Sequence, residues 1–408
     1  MFYILWFIVA FAIVGSGYAY VGWRLIAPAH LATPWNWAAW GGLALMLLLP
    51  VTAMLLEVNR ISTPGKRTLE WAAYLSLGFF SLVITLLLLR DAAWLIGIGA
   101  RKGAGLLAHI AGHATEPGAP ADPLRREALI QSVNVALIAA AAGAAGYGVF
   151  EARRRPSTPL VEIPVDGLPD ALEGFRIVQI SDLHAGLTIA RPFVETVVEM
   201  VNELDADIVA FTGDMADGKV ADLHQDVEPL SGIRARYGKY FITGNHEYYS
   251  GALPWIEEAR RLGFDVLLNE HRLIARGMGK ILFAGVTDVS GGQFIPEHRC
   301  DPQKAIEGAP PSDVRILLAH QPRTLYHVQA PGFHVQISGH THGGQFFPWN
   351  LLATVGQPCI KDLRRFQETW MYVSKGTGYW GPPVRIGARS EIALITLTGK
   401  RTAQGATR

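Results

Sequence analysis

Seven side chains beyond residue 180 belong to one chemical kind: Asp182, His184, Asp214, Asn245, His320, His340 and His342. They offer carboxylate, amide oxygen and imidazole, with no thiolate among them. Such a set suits Mn²⁺, Fe or Zn²⁺ better than Ca²⁺ or a structural zinc. Seven ligands are too many for one catalytic metal that must keep an open position. They fit two divalent metal ions, roughly 3.5–4 Å apart, that share a bridging group. Asp214 is the expected bridge, because a carboxylate can span two cations and an imidazole cannot. A two-metal site lowers the pKa of a bridging water and clamps phosphoryl oxygens during in-line displacement. Singly, Asp182 and Asp214 would serve as turn or cap residues, Asn245 as a turn residue and His320 as a core histidine. Their order and their placement at strand ends favour the metal reading.

Five short apolar runs must position them. Arg176 to Ser181 leads into Asp182-Leu183-His184, and Asp207 to Thr212 into Gly213-Asp214. Tyr240 to Thr243 leads into Gly244-Asn245-His246-Glu247, Val314 to Ala319 into His320, and Phe333 to Ser338 into Gly339-His340-Thr341-His342. Alternate residues of a strand share a face, so His340 and His342 can aim the same way, and the neighbouring glycines allow the sharp turn. Loops at the carboxyl edge of an open α/β sheet converge on one crevice. Phe193, Val197, Met200, Val201 and Leu204 recur at helical spacing behind Arg191-Pro192, which predicts a crossover helix. Trp255 to Leu262 predicts another. Asp217, His224, His271, His298, His327 and His334 are expected at the surface, in turns or behind the ligands.

The first 155 residues have a different character. The whole chain is 50% hydrophobic and only 17% charged, with a mean hydropathy of +0.21, more apolar than an ordinary soluble enzyme. Uncharged stretches of spanning length cover about residues 2–23, 35–56, 71–89 and 128–150. Glu57 and Arg90 flank them, and no charge of the kind transport sites use lies inside. Residues 97–123, with His109 and His113, are expected to form a loop. Basic residues flanking the spans divide evenly between the two sides, so the positive-inside rule does not choose an orientation. Leu124-Arg125-Arg126 resembles a degenerate twin-arginine export motif and tips the soluble part outside the cytosol. A proline-punctuated linker (residues 156–172) leads to a domain at 173–398 and a tail at 399–408. The net charge of +1 and the lack of a basic tract exclude nucleic acid as a partner. No obligate protein partner is evident. Cys300 and Cys359 could be bridged or free.

Asp-x-His, Gly-Asp, Gly-Asn-His-Glu, a lone strand-end His and Gly-His-x-His, in that order, resemble the calcineurin-like metallophosphoesterase superfamily. Ser181 to His184, Gly244 to Tyr249 and Gly339 to Gln345 are similar to its bacterial YkuE/YaeI-like, membrane-associated branch. The closing segments Gly376-Thr377-Gly378, Pro382 to Arg385 and Glu391 to Leu397 are similar as well. The resemblance covers about residues 173–398. It implies an α/β fold, a two-sheet β-sandwich flanked by helices, here preceded by an all-α transmembrane region of about four helices. It further implies Asp182, His184, Asp214 and His342 on one metal and Asp214, Asn245, His320 and His340 on the other. His246, no ligand in that pattern, would reach the phosphoryl oxygen or the leaving group.

The expected function is therefore a membrane-anchored phosphodiesterase of the bacterial inner membrane, acting on a lipid-linked, nucleotide-lipid or envelope phosphodiester. A phosphomonoesterase of broad specificity is the alternative, as is a silent membrane receptor or scaffold on the same fold. Tyr248, Tyr249, Trp349, Trp370, Tyr379 and Trp380 are candidates for an apolar mouth, with core packing as the competing account.

Overall fold

In a computed structural model, residues 2–58, 65–111, 122–327 and 332–399 are described. The chain divides into two units, residues 1–147 and 148–408. The first is helical: α1 (Phe2–Leu25), α2 (Thr33–Val58), α3 (Lys66–Ile110) and α4 (Pro123–Arg153). Among the described residues, Thr33–Leu56, Lys66–Ile110 and Pro123–Arg153 are long and apolar enough to cross a membrane. The remaining expected span coincides with α1. Helix α3 corrects one expectation, since it continues through residues 97–110, where a loop was predicted. The glycines at 97, 99, 103 and 105 each weaken a helix by about 1 kcal/mol, but no proline interrupts it before Pro117. His109 is thus an exposed helical residue, and His113 lies outside the described residues.

In the second unit, alternating apolar residues build two six-stranded sheets. The first contains β1 (Leu160–Val165), β2 (Phe175–Ile180), β3 (Ile208–Phe211), β4 (Lys239–Phe241) and β5 (Asp265–Val266), with the last strand, β12 (Ala393–Gly399), between β1 and β2. Strands β2 to β5 run parallel and β12 antiparallel to β2. Residues 160–165, expected in the linker, are therefore a strand of this sheet, paired to Leu394–Gly399. The second sheet contains β6 (Glu270–Arg276), β7 (Gly279–Gly285), β8 (Val314–Leu318), β9 (Val335–Ser338), β10 (Asp362–Phe366) and β11 (Thr369–Val373). Its order is β10-β11-β9-β8-β7-β6, parallel from β11 to β7.

Strand periodicity decides what each face meets. Phe175 and Ile177 join Ile316, Ile337 and Phe283 in the core between the sheets. Val178 and Ile180 join the opposite face, where α5 (Arg191–Glu203), α6 (Val220–Val227) and α7 (Ala252–Arg261) pack through Val197, Val201, Leu223 and Trp255. Both faces of β2, β3 and β9 are covered, so their residues are buried except for the half-buried Arg176, as in parallel sheets generally. Cys300 and Cys359 are free thiols.

Phe283 is fully buried between the sheets. Phe283→Ala is expected to cost about 3–5 kcal/mol, read as a lower denaturation midpoint in urea for the detergent-solubilised chain.

Candidate metal centre

Strands β2, β3, β4, β8 and β9 end at one crevice, and each delivers its residues there. Backbone bonds tie the loops together: Asp182 N–H donates to the Gly213 carbonyl at 3.0 Å, His184 N–H to the Asp214 carbonyl at 3.1 Å, and Gly339 N–H to the His320 carbonyl at 2.9 Å. Gln179 donates to both Thr212 Oγ1 (2.8 Å) and the Ser338 carbonyl (2.9 Å), coupling the two sheets directly behind the crevice.

The backbone there is unusual. Asp182, His184, Asp214, His340 and His342 all have φ between 49° and 72°, a region that residues other than glycine seldom occupy. Such conformations persist where the surroundings enforce them and cluster at functional sites. Two glycines make room for this packing. A Cβ on Gly339 would lie 2.0 Å from Ser181 Oγ and 2.2 Å from Asp182 Oδ2, and one on Gly244 would lie 2.1 Å from Asp214 Oδ1.

All seven sequence-predicted ligands lie in this crevice, six of them in two groups of three and Asn245 beside the second. Asp182, His184 and His342 form one, and Asp214, His320 and His340 the other, with donor atoms within 4.8 Å of one another in each. His184 Nε2 is 3.0 Å from His342 Nε2, and His342 Nε2 is 3.6 Å from Asp182 Oδ1. In the second group, His320 Nε2 lies 3.1 Å from both Asp214 Oδ2 and Asn245 Oδ1, and 3.2 Å from His340 Nδ1. Asp214 Oδ2 also lies 3.7 Å from His184 Nε2, so the same carboxylate oxygen reaches both groups. Donors bonded to one cation at about 2.0–2.2 Å sit roughly 3.0–3.5 Å apart, which is close to the spacing observed. The residues therefore fit divalent metal binding.

Hydrogen bonds on the outer ring nitrogens set the tautomers. His320 Nδ1 is 2.7 Å from the Thr212 carbonyl and His184 Nδ1 is 2.8 Å from Asp217 Oδ1. In both, Nδ1–H donates and Nε2 faces the crevice. Burial disfavours the charged form of His320, but Asp214 beside its Nε2 outweighs this and holds it well above the usual imidazole range, so a cation bound there would displace the Nε2 proton. Burial, then the charge of His320, pushes His340 down to about 3. Burial, followed by His184 and Arg385, also holds His342 well below the usual imidazole range. Both are thus neutral, the ligating form. Burial pushes Asp182 up. For Asp214 burial acts the same way but is outweighed by His320, His246 and His184, which hold the carboxyl well down.

His246 stands beside the two groups. Its Nδ1 is 2.6 Å from Asp217 Oδ1, and its backbone N–H donates to Asp214 Oδ1 at 2.9 Å. Burial disfavours its charged form, but Asp214 and the hydrogen-bonded Asp217 outweigh this and raise it to about 9.

Three further residues complete the site, and two of them, Glu247 and Arg385, had no expected role in it. Asp217, expected at the surface, in a turn or behind the ligands, is the carboxylate between His184 and His246. Its place three residues after Asp214 is the available sequence signal. Glu247 is fully buried and accepts from the backbone N–H groups of Gly244 (2.6 Å), Met215 (2.7 Å) and Asp214 (3.0 Å), bracing two loops. Burial and the Asp214 charge raise its carboxyl to about 7 against the pull of those donors. Arg385, also fully buried, donates to the Gly378 carbonyl (2.5 and 3.0 Å), the Ala388 carbonyl (2.8 Å) and His342 Nδ1 (3.1 Å).

The candidate mouth aromatics separate. Tyr248 and Tyr379 are buried, and Trp370 belongs to β11. Tyr249 and Trp380 are 62% and 54% exposed, with ring centres 5.3 and 5.8 Å from that of His246. Phe294, not foreseen, extends this surface beside Tyr249 at 5.8 Å.

A calcineurin-like phosphoesterase profile matches residues 175–344. An uncharacterized metallophosphoesterase of Helicobacter pylori is 33% identical over 286 residues, 69% of this chain and 74% of that one. A transmembrane protein with metallophosphoesterase domain from Danio rerio is 40% identical over 259 residues, 62% of this chain and 59% of that one. The uncharacterized metallophosphoesterase YkuE of Bacillus subtilis is 29% identical over 265 residues, 63% of this chain and 91% of that one. The chain thus spans about 59% of the length of the matched Danio rerio and Bos taurus proteins.

Gly339→Ala forces its new methyl group onto Ser181 and Asp182. It is expected to lose most bound metal after dialysis while circular dichroism stays unchanged; wild-type metal content would contradict the packing argument.

Proposed function

Because this chain belongs to the calcineurin-like metallophosphoesterase family, we propose that it is a membrane-anchored, two-metal phosphodiesterase acting on a lipid-linked or envelope phosphodiester. The shared carboxylate carries this reading: Asp214 Oδ2 is 3.1 Å from His320 Nε2 and 3.7 Å from His184 Nε2. In the proposal, Asp182, His184, Asp214 and His342 hold one cation, and Asp214, Asn245, His320 and His340 the other. Mn, Fe or Zn bound there would supply Lewis-acid stabilisation of the phosphoryl group and a lowered pKa for water.

The protein's own groups do the rest. Asp217 engages Nδ1 of His246, so Nε2 is the nitrogen left to donate to a phosphoryl or leaving-group oxygen. Asp217 also fixes His184, which couples the orientation of a ligand to that of the proposed proton donor. Tyr249, Trp380 and Phe294 give the second substituent of a diester an apolar surface beside His246. An apolar substituent and helices of membrane-spanning length together favour a lipid-linked substrate.

The proposal includes a bacterial inner-membrane location with the soluble unit outside the cytosol, supported by Arg125-Arg126 in the first turn of α4. An alkaline phosphatase reporter fused after Arg155 is expected to be active; an inactive but intact fusion would reverse the orientation.

The enzymatic test uses the full chain in detergent, stripped of metal and resupplied with Mn²⁺, with bis- and mono-(p-nitrophenyl) phosphate compared. Metal-dependent cleavage favouring the diester is expected. Asp214→Ala and His340→Ala are expected to lose at least about 10²-fold in rate with the fold intact. Preference for the monoester would favour a phosphatase. Metal binding without cleavage of either would favour a receptor or scaffold.

A further inference from the structure

We propose that the helical unit carries a second, non-catalytic site that binds the headgroup of an anionic phospholipid. A cavity of about 630 Å³ is lined by Arg24, Arg90, Asp91 and Arg126 at its polar end. These four leave two net positive charges. Asp91 is fully engaged: Oδ1 accepts from Arg24 Nη2 (2.6 Å) and Arg90 Nε (2.8 Å), and Oδ2 from Tyr20 (2.6 Å). Arg90 also donates to Asn134 Oδ1, and Asn134 Nδ2 donates to the Arg24 carbonyl at 3.1 Å. The guanidinium groups of Arg24 and Arg90 are therefore held in place before any ligand arrives. Arg24 Nε is buried and has no hydrogen-bond partner. An unpaired donor of this kind is costly, and an acceptor from a bound anion would satisfy it.

The location along the helices identifies the anion's source. Arg24 is 22 residues past the start of α1 and Arg90 is 24 residues past the start of α3, roughly 33 and 36 Å at 1.5 Å per residue. Both distances match or exceed the roughly 30 Å of a bilayer's hydrocarbon. Arg126 lies in the first turn of α4. Three helix segments thus bring arginines to one membrane boundary, where lipid phosphates lie. Trp23 and Trp94 line the same cavity and are 62% and 57% exposed, as in the aromatic belts that sit at headgroup level. Beyond Arg126 the lining continues along α4 through Leu129, Ile130 and Val133, all exposed, an apolar track for an acyl chain. Arginine pairs bidentately with phosphate. A phosphatidylglycerol-type lipid therefore matches both ends of the cavity, and a zwitterionic lipid matches only the apolar end.

The test is independent of catalysis. The full chain in neutral detergent is given equal phosphatidylglycerol and phosphatidylcholine, and retained lipid is counted by native mass spectrometry. Preferential retention of one phosphatidylglycerol is expected. Arg126→Gln, at the exposed rim, should weaken it about tenfold. Arg125→Gln, exposed and outside the lining, should leave it unchanged. Equal retention of both lipids, or wild-type retention by Arg126→Gln, would overturn the site. Displacement of phosphatidylglycerol by millimolar inorganic phosphate alone would overturn the lipid assignment in favour of a free-anion site.

Discussion

The second unit is organised around the burial of acid. Asp182, Asp214 and Glu247 lie in one crevice, each almost wholly removed from water. Isolated carboxylates cannot be buried as anions without compensation. Backbone N–H groups answer for Glu247, and the His340 N–H for Asp182 at 2.8 and 3.0 Å. For Asp214 the compensation comes from the imidazoles of His320, His246 and His184, which follow three other strands, and from the His246 N–H. Each of the three carboxylates draws partners from a strand end other than its own, so the loops must meet. The two-sheet arrangement, with Gln179 crossing from one sheet to the other, is what makes them meet.

A second demand follows from the first. To turn donors inward at successive strand ends, the backbone adopts left-handed conformations at five of the candidate ligands. Local preference opposes this, by about 1–3 kcal/mol per residue. Interloop hydrogen bonds and the surrounding core hold the conformation. The stability of the sandwich and the geometry of the crevice are therefore linked: weakening of the core is felt first where the backbone is least content locally.

Most of the crevice was legible in the sequence because its candidate ligands follow apolar runs, and a strand followed by an acid, amide or histidine is a local pattern. Asp182, His184, Asp214, Asn245, His320, His340 and His342 were all found in this way, as were the strands that carry them. Asp217 was harder, since one residue in a turn carries no periodicity and its role arises only when His184 and His246 arrive from elsewhere. Glu247 and Arg385 share that difficulty: apart from His342 beside Arg385, the hydrogen-bond partners named for them are backbone groups, which a sequence does not mark. The aromatics were ambiguous because Tyr248 and Tyr249 are adjacent and yet point to different environments, one core and one solvent. Residues 97–110 misled for another reason. Glycine lowers helix propensity without forbidding a helix, and an already formed apolar helix propagates through it. The strand at 160–165 is an edge element whose partner lies more than 200 residues away in sequence.

Helix α3 has a mechanical consequence. It is one continuous 45-residue helix, roughly 67 Å long, while a bilayer's hydrocarbon occupies only about 30 Å. With Arg90 and Asp91 at the proposed membrane boundary, its last 20 residues reach roughly 30 Å beyond that level. A tilt of about ten degrees within the membrane would move the tip by roughly 5 Å, given that length. Small changes in bilayer thickness or in helix packing would be amplified there into displacements larger than a side chain.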